Sequence, residues 1–147
     1  MPLYCTGREK AWNLLSGKRG LGASSSVVYD RADSSITQAS AEEFDFDQIF
    51  DGAELFHVSG ITPVLSEETA RLTRIALQKA KEHDVTTSFD LNYRAKLWTE
   101  DVKGKQKMLS ELMPYVDICF GNARDAASAW DMQKKIRILS MGTTVSV

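Results

Sequence analysis

Asp90, Asn92 and Arg94 set a carboxylate, an amide and a guanidinium on alternate positions directly after the apolar run from Val85 to Phe89. A guanidinium fork grips a carboxylate or phosphate through paired N–H bonds, an amide both donates and accepts, and a carboxylate takes a proton or holds a cation. The stretch therefore carries the groups needed to bind an anion. Asp90 is also the obvious structural counter-ion for Arg94, so a simple ion pair is the competing reading. Two further runs end in polar residues, at Ser59-Gly60 and Gly121-Asn122. In an open parallel sheet, ligands collect beyond the carboxyl ends of the strands, where loops and helix N-termini converge. Three polar strand ends along one edge would form such a place, although Ser66 and Asn122, each taken alone, read first as helix caps. The loop Asp30-Arg31-Ala32-Asp33-Ser34-Ser35 either reaches a ligand or is a solvated turn. Trp98 reads as core and His57 as a satisfied strand residue.

Positioning these groups requires an alternation of strands and helices, and the middle of the chain supplies the pattern. Ser25 to Tyr29, Ala53 to Val58, Val85 to Phe89 and Val116 to Phe120 are short runs rich in β-branched and aromatic residues. Between the second and third, Ser66 is placed to cap a helix whose first turn holds Glu67 and Glu68, where the helix dipole favours acids. Leu72, Ile75, Ala76 and Ala80 recur at helical spacing, so this helix should run to about His83, which then serves as a C-terminal cation. The strand, helix and strand form a βαβ unit, parallel by its crossover length. Thr99 is placed to cap a second helix that buries Met108, Leu109, Leu112 and Met113 and ends at Pro114. Asn122 is placed to cap a third through Ala126 and Ala127 to Trp130. Glu42 to Phe50 reads as a short helix or turn, and Lys134 to Leu139 as a further candidate strand.

Residues 1–24 and 132–147 lack this pattern, which divides the chain into a patterned block, 25–131, between two unpatterned ends. The glycines at 7, 17, 20 and 22 interrupt any period near the start, as a shifted reading frame at either end also would. The composition, 43% hydrophobic and 26% charged, is that of an ordinary folded domain. With 18 basic against 20 acidic side chains and no basic stripe, nucleic acid is not an expected partner. No apolar run approaches the ~20 residues of a membrane span and the first residues lack the order of a signal peptide, so the chain reads as cytoplasmic with no membrane partner. Cys5 and Cys119 are too far apart to suggest a framework, and His57 and His83 complete no metal set with them. Cys119 reads as a small buried apolar residue.

Taken together, Val28-Tyr29-Asp30-Arg31, His57-Val58-Ser59-Gly60-Ile61, Ser88 to Arg94 with Leu97-Trp98, and Asp117-Ile118 followed by Asn122 with an acid three residues on resemble the ribokinase-like, or PfkB, carbohydrate kinases. Tyr29 with Arg31, and Asn92-Tyr93-Arg94 with Leu97-Trp98, point to its sugar-acid branch, the 2-keto-3-deoxygluconate kinases. The resemblance covers about 25–130. It implies a partial ribokinase-like three-layer α/β/α fold with a mostly parallel sheet, incomplete at both ends. It also implies transfer of the ATP γ-phosphate to a hydroxyl of 2-keto-3-deoxygluconate with Mg²⁺ as cofactor, the sugar acid being the small-molecule partner. On this resemblance Tyr29 and Arg31 contact the sugar acid, and Arg94 reaches its carboxylate or the transferred phosphate. Asn92 and Tyr93 border the ATP site, Asn122 lies near metal and phosphate, and Asp125 orients metal-bound water.

The sequence also departs from the family pattern. The Gly-Gly sugar-binding segment and the Gly-Ala-Gly-Asp motif, whose Asp is the catalytic base, are absent, and Asp125 stands where Glu is usual. The resemblance thus implies a central fragment with little or no kinase activity alone. The alternatives are a non-catalytic remnant that binds a sugar acid or an intact kinase, and a different sugar or nucleoside kinase of the same family. Uncovered apolar faces of an incomplete sheet would favour self-association.

Overall fold

The computed structural model describes residues 34–129 in full and, at the level of the backbone, four strands outside that range. In chain order the elements are β1 (Asn13–Gly17), β2 (Ser26–Asp30), α1 (Ser35–Gln38), α2 (Phe46–Phe50), β3 (Leu55–Ser59), α3 (Glu67–Glu82), β4 (Thr86–Asp90), α4 (Val102–Leu112), β5 (Ile118–Phe120), α5 (Ala123–Ala129), β6 (Arg137–Ser140) and β7 (Thr143–Ser146). β1 and β2 form an antiparallel pair. The main sheet has the order β3-β4-β5-β6-β7, parallel through β6, with β7 antiparallel at its edge.

This order fixes where the helices lie. Strands that add one after another in a single direction, through crossovers of one hand, place all their helices on one face of the sheet. α3 contacts β3, β4 and α4, and α4 contacts α5. The buried face carries Val58, Phe89 and Cys119, which pack with Leu77, Leu109, Leu112 and Met113 in the main core. The opposite face carries Leu55, His57, Thr86 and Phe120, which are exposed, around a buried Ser88 that is hydrogen-bonded to His57. The described residues thus supply two of the three expected layers.

α3 forms as its sequence dictates. Ser66 caps it by accepting the Thr69 N–H at 3.1 Å, while Thr69 Oγ1 accepts the Ser66 N–H at 2.9 Å, a reciprocal capping box. Leu72, Ala76, Leu77 and Ala80 are buried, and Arg71 and Arg74 face outward to pair with Glu42 and Glu111. The helix stops in a Schellman turn: Val85 N–H reaches Ala80 O at 2.8 Å and Asp84 N–H reaches Lys81 O at 3.2 Å, with Asp84 at φ 56°. His83 is the C-cap, and its Nε2 lies 2.9 Å from an Asp47 carboxylate oxygen.

Four local expectations are corrected. β1 lies inside the segment that shows no period, because it is specified by its ladder with β2. α4 is capped by Asp101, whose carboxylate accepts the Gly104 N–H at 3.1 Å, and not by Thr99. β5 begins only at Ile118, since a 3₁₀ turn over Met113–Tyr115 follows α4 and Asp117 then binds Thr87 N–H at 2.8 Å. β7 lies in 132–147, where no strand is expected beyond Leu139 although Thr143, Thr144 and Val145 are β-branched, and its partner β6 falls within and just beyond the candidate strand at Lys134 to Leu139.

Candidate active site

The register aligns the three polar strand ends: Ser59 lies opposite Asp90, and Asp90 opposite Phe120. The ladder continues one residue past each strand, with Gly60 N–H donating to Asp90 O at 2.6 Å and Leu91 N–H donating to Phe120 O at 2.8 Å. Leu91, 1% exposed, fills the space between the outer two ends. A Cβ on Gly60 would lie 3.0 Å from Asp90 O and closer still to Leu91 O; one on Gly121 would lie 2.6 Å from Leu91 Cδ1. Glycine is required after β3 and β5 so that the Leu91 backbone and side chain can fit.

Beyond Leu91 the chain turns sharply. Asn92 has φ 39°, in the left-handed region where Asn is tolerated better than most residues. Its N–H donates to Asp90 Oδ1 at 3.2 Å, and its Nδ2 donates to Ser59 Oγ at 3.1 Å. Ser59 Oγ also accepts the Ile61 N–H at 3.4 Å. The Tyr93 ring then packs on Trp98, with centroids 5.2 Å apart. Trp98 is buried in the core, as its type suggested. Arg94 is exposed and donates from Nη1 to Tyr93 O at 3.2 Å.

The competing reading of Arg94 as the partner of Asp90 is overturned. Among the described residues no carboxylate pairs with Arg94, because the turn at Asn92 commits Asp90 to its own loop. Among the described residues the guanidinium bonds from Nη1 to Tyr93 O, which leaves Nη2 and Nε to meet a ligand.

At the third strand end, Asn122 Oδ1 accepts the Asp125 N–H at 2.8 Å and so caps α5. That use leaves its Nδ2 as a donor. Asp125 is half-buried in the first turn of α5. Cys119 is 1% exposed and packs in the main core, and burial, reinforced by the Asp90 charge, pushes its thiol up to about 11. His57 Nδ1 meets Ser88 Oγ at 2.9 Å, a satisfied strand residue. A groove of about 360 Å³ runs between the starts of α3 and α4, bordered by Pro63, Ser66, Glu67, Asp101 and Met108. Glu67, Glu100 and Asp101 outnumber its one lining cation, Lys105, whose Nζ is bound to Leu97 O at 2.7 Å, so the groove does not favour phosphate.

A family model described as pfkB family carbohydrate kinase matches residues 6–142. The chain belongs to this family. It is 41% identical over 106 residues to the 2-dehydro-3-deoxygalactonokinase of Haloferax volcanii, covering 72% of this chain and 32% of that protein. The crystal structure of 2-dehydro-3-deoxygluconokinase from Thermotoga maritima superposes with a TM-score of 0.67 at 43% identity, over 80% of this chain and 35% of that one. The structure of fructokinase with bound ATP from Xylella fastidiosa, 20% identical, shares the fold at a TM-score of 0.65 over 80% of this chain and 35% of that one. The chain therefore spans about a third of the length of the relatives it matches. Its two layers are part of a ribokinase-like α/β fold.

For this PfkB-family chain, the structure gathers Asn92, Tyr93 and Arg94 into one loop and sets Asn122 and Asp125 at the end of the adjacent strand. Tyr29 falls in β2, where its backbone pairs with Leu14. Arg31 lies outside the described residues. Sequence reasoning missed the Ser59 hydroxyl as the partner of Asn92. The available signal was the register, which follows from aligning His57-Val58-Ser59 with Ser88-Phe89-Asp90.

Proposed function

We propose that the chain is part of a sugar-acid kinase that transfers the ATP γ-phosphate to a hydroxyl of 2-keto-3-deoxygluconate. The observation that carries this reading is Arg94: an exposed guanidinium without a carboxylate partner among the described residues, on the loop that ends β4. A carboxylate or phosphate ligand supplies the missing partner. Tyr29 and Arg31 would bind the sugar acid with Arg94, while Asn92, Tyr93 and Asn122 would border the nucleotide.

Phosphoryl transfer rests on positioning and on donors that hold the developing negative charge. Arg94 and the Nδ2 of Asn122, unbonded among the described residues, are such donors. Among the described residues no group of three or more His, Cys, Asp or Glu could hold a metal ion. Mg²⁺ commonly uses one or two carboxylates with substrate phosphates and water, so a single acid at Asp125 is compatible with it. Mg²⁺ when bound would neutralise phosphate charge; Asp125 would hold one of its waters. The transferred proton needs a base, and the Gly-Ala-Gly-Asp motif is not in the sequence. We expect little or no turnover by this chain alone.

Two measurements test the reading. Purified chain incubated with ATP, Mg²⁺ and 2-keto-3-deoxygluconate should give no phosphorylated sugar acid at a normal kinase rate; such a rate refutes the inactivity. Calorimetry with the sugar acid should show binding that falls about tenfold or more in Arg94→Ala or Arg31→Ala, as loss of a charge-assisted bond requires. Equal binding by all three chains sinks the site assignment. The Haloferax relative supports a second reading, the epimeric 2-keto-3-deoxygalactonate, which a parallel titration with that acid discriminates.

A further inference from the structure

We infer that Ser59 is a positioning residue for Asn92, tying the end of β3 to the loop after β4; its functional consequence rests on the nucleotide role proposed above for Asn92. Asn92 stands at φ 39°, in the left-handed region that Asn enters more readily than most side-chain-bearing residues and that local hydrogen bonds stabilise. Two bonds fix it: Asp90 Oδ1 accepts the backbone N–H at 3.2 Å and Ser59 Oγ accepts from Nδ2 at 3.1 Å. The first sets the backbone and is local. The second reaches across strands, and it sets the side chain.

The consequence is chemical as well as geometric. With Ser59 Oγ accepting from Asn92 Nδ2 and from Ile61 N–H, the amide is oriented with Nδ2 toward β3. Asn92 Oδ1 is then left as an acceptor, with one Nδ2 proton as a donor. An acceptor beside a donor suits a hydroxyl, which also does both, better than it suits a phosphate oxygen, which only accepts. Ser59 thereby makes Asn92 a reader of the nucleotide's ribose or base, or of a sugar hydroxyl, and leaves phosphate to Arg94 and Asn122. Gly60 reinforces the arrangement, since its N–H bond to Asp90 O at 2.6 Å keeps Ser59 in register with the loop.

The test uses the full chain labelled with ¹⁵N, comparing wild type, Ser59→Ala, Ser59→Thr and Asn92→Ala. In Ser59→Ala the Asn92 side-chain amide signals should move and exchange with solvent faster, while the rest of the spectrum stays dispersed. Ser59→Thr, which keeps the hydroxyl, should restore them. Unchanged Asn92 side-chain signals in Ser59→Ala overturn the inference. Titration with ATP and Mg²⁺ supplies the functional readout: Ser59→Ala should weaken binding by about three- to tenfold, the loss of one neutral hydrogen bond, and Ser59→Thr should recover it. Weakening in Asn92→Ala without weakening in Ser59→Ala also overturns the positioning role. If Asn92→Ala binds ATP as wild type does, the nucleotide role of Asn92 fails instead, and the moved amide signals still establish that Ser59 positions it.

Discussion

Single side chains in this chain have effects that depend on which loop or helix has already claimed them, and Asp117 is the clearest case. Its carboxylate binds Lys81 Nζ and accepts the Thr87 N–H and hydroxyl at 2.8 and 3.0 Å. The Lys81 ammonium first, and the Thr87 N–H after it, hold the Asp117 pKa below its ordinary value of 3.8. A depressed folded-state pKa means that the charged form stabilises the fold. That contribution is fully present above the unfolded pKa and is lost as pH falls below 3.8 through the folded value. Urea midpoints for wild type and Asp117→Asn should therefore differ most at neutral pH and converge as the medium becomes acid. Salt screens the half-exposed Lys81 pair but not the hydrogen bonds to Thr87, so part of the gap should persist in high salt. A gap independent of pH would sink the assignment.

At the scale of elements, α3 shows both what local sequence specifies and where it can be improved. Its Schellman stop uses Asp84 at φ 56°, where glycine carries no Cβ penalty. Asp84 is exposed. Asp84→Gly should raise stability by about 0.5–1 kcal/mol, and a β-branched residue there should lower it. Thermal melts check both, and a destabilised glycine variant contradicts the cap. The start and the buried stripe of α3 were legible in Ser66, Glu67, Leu72 and Ala80, because a capping residue and a 3.6-residue period are local signals. β1 was not legible, because Asn13 to Gly17 becomes a strand through pairing and not through any alternation of its own. The cap of α4 was ambiguous for a related reason. Thr99, Glu100 and Asp101 are consecutive acceptors, and choosing among them depends on the 3₁₀ turn at Ala95–Leu97 that precedes burial of Trp98. The same limit applies to the site. Asp90 and Arg94 are close in sequence, which suggests an ion pair, yet the left-handed turn at Asn92 separates them and leaves Arg94 without an acid among the described residues.

For the molecule as a whole, the decisive property is the sheet face opposite α3 and α4. Parallel strands ordinarily have both faces covered, since their crossovers put helices there. Here the order from β3 to β6 runs in one direction, so its crossovers cover one face. On the other, Leu55 is 58% and Phe120 42% exposed at opposite corners, with Thr86 and His57 beside Leu55 and the buried Ser88 between the two. Exposed apolar side chains lower their free energy by being covered, and a second copy of the chain presents the same pair under a two-fold axis. We expect concentration-dependent self-association in sedimentation velocity. Replacing Leu55 and Phe120 together by Lys should shift the chain toward monomer without lowering its urea midpoint, since neither side chain belongs to the buried core. A wild-type chain that stays monomeric across the concentration range, or a double variant that associates equally, would show that this face is not the contact. Ser59 and Asp90 share the same face at its carboxyl edge, so a dimer formed this way would come close to the Asn92 loop. Sugar acid or ATP should then oppose association in wild type and have no effect on the state of the double variant.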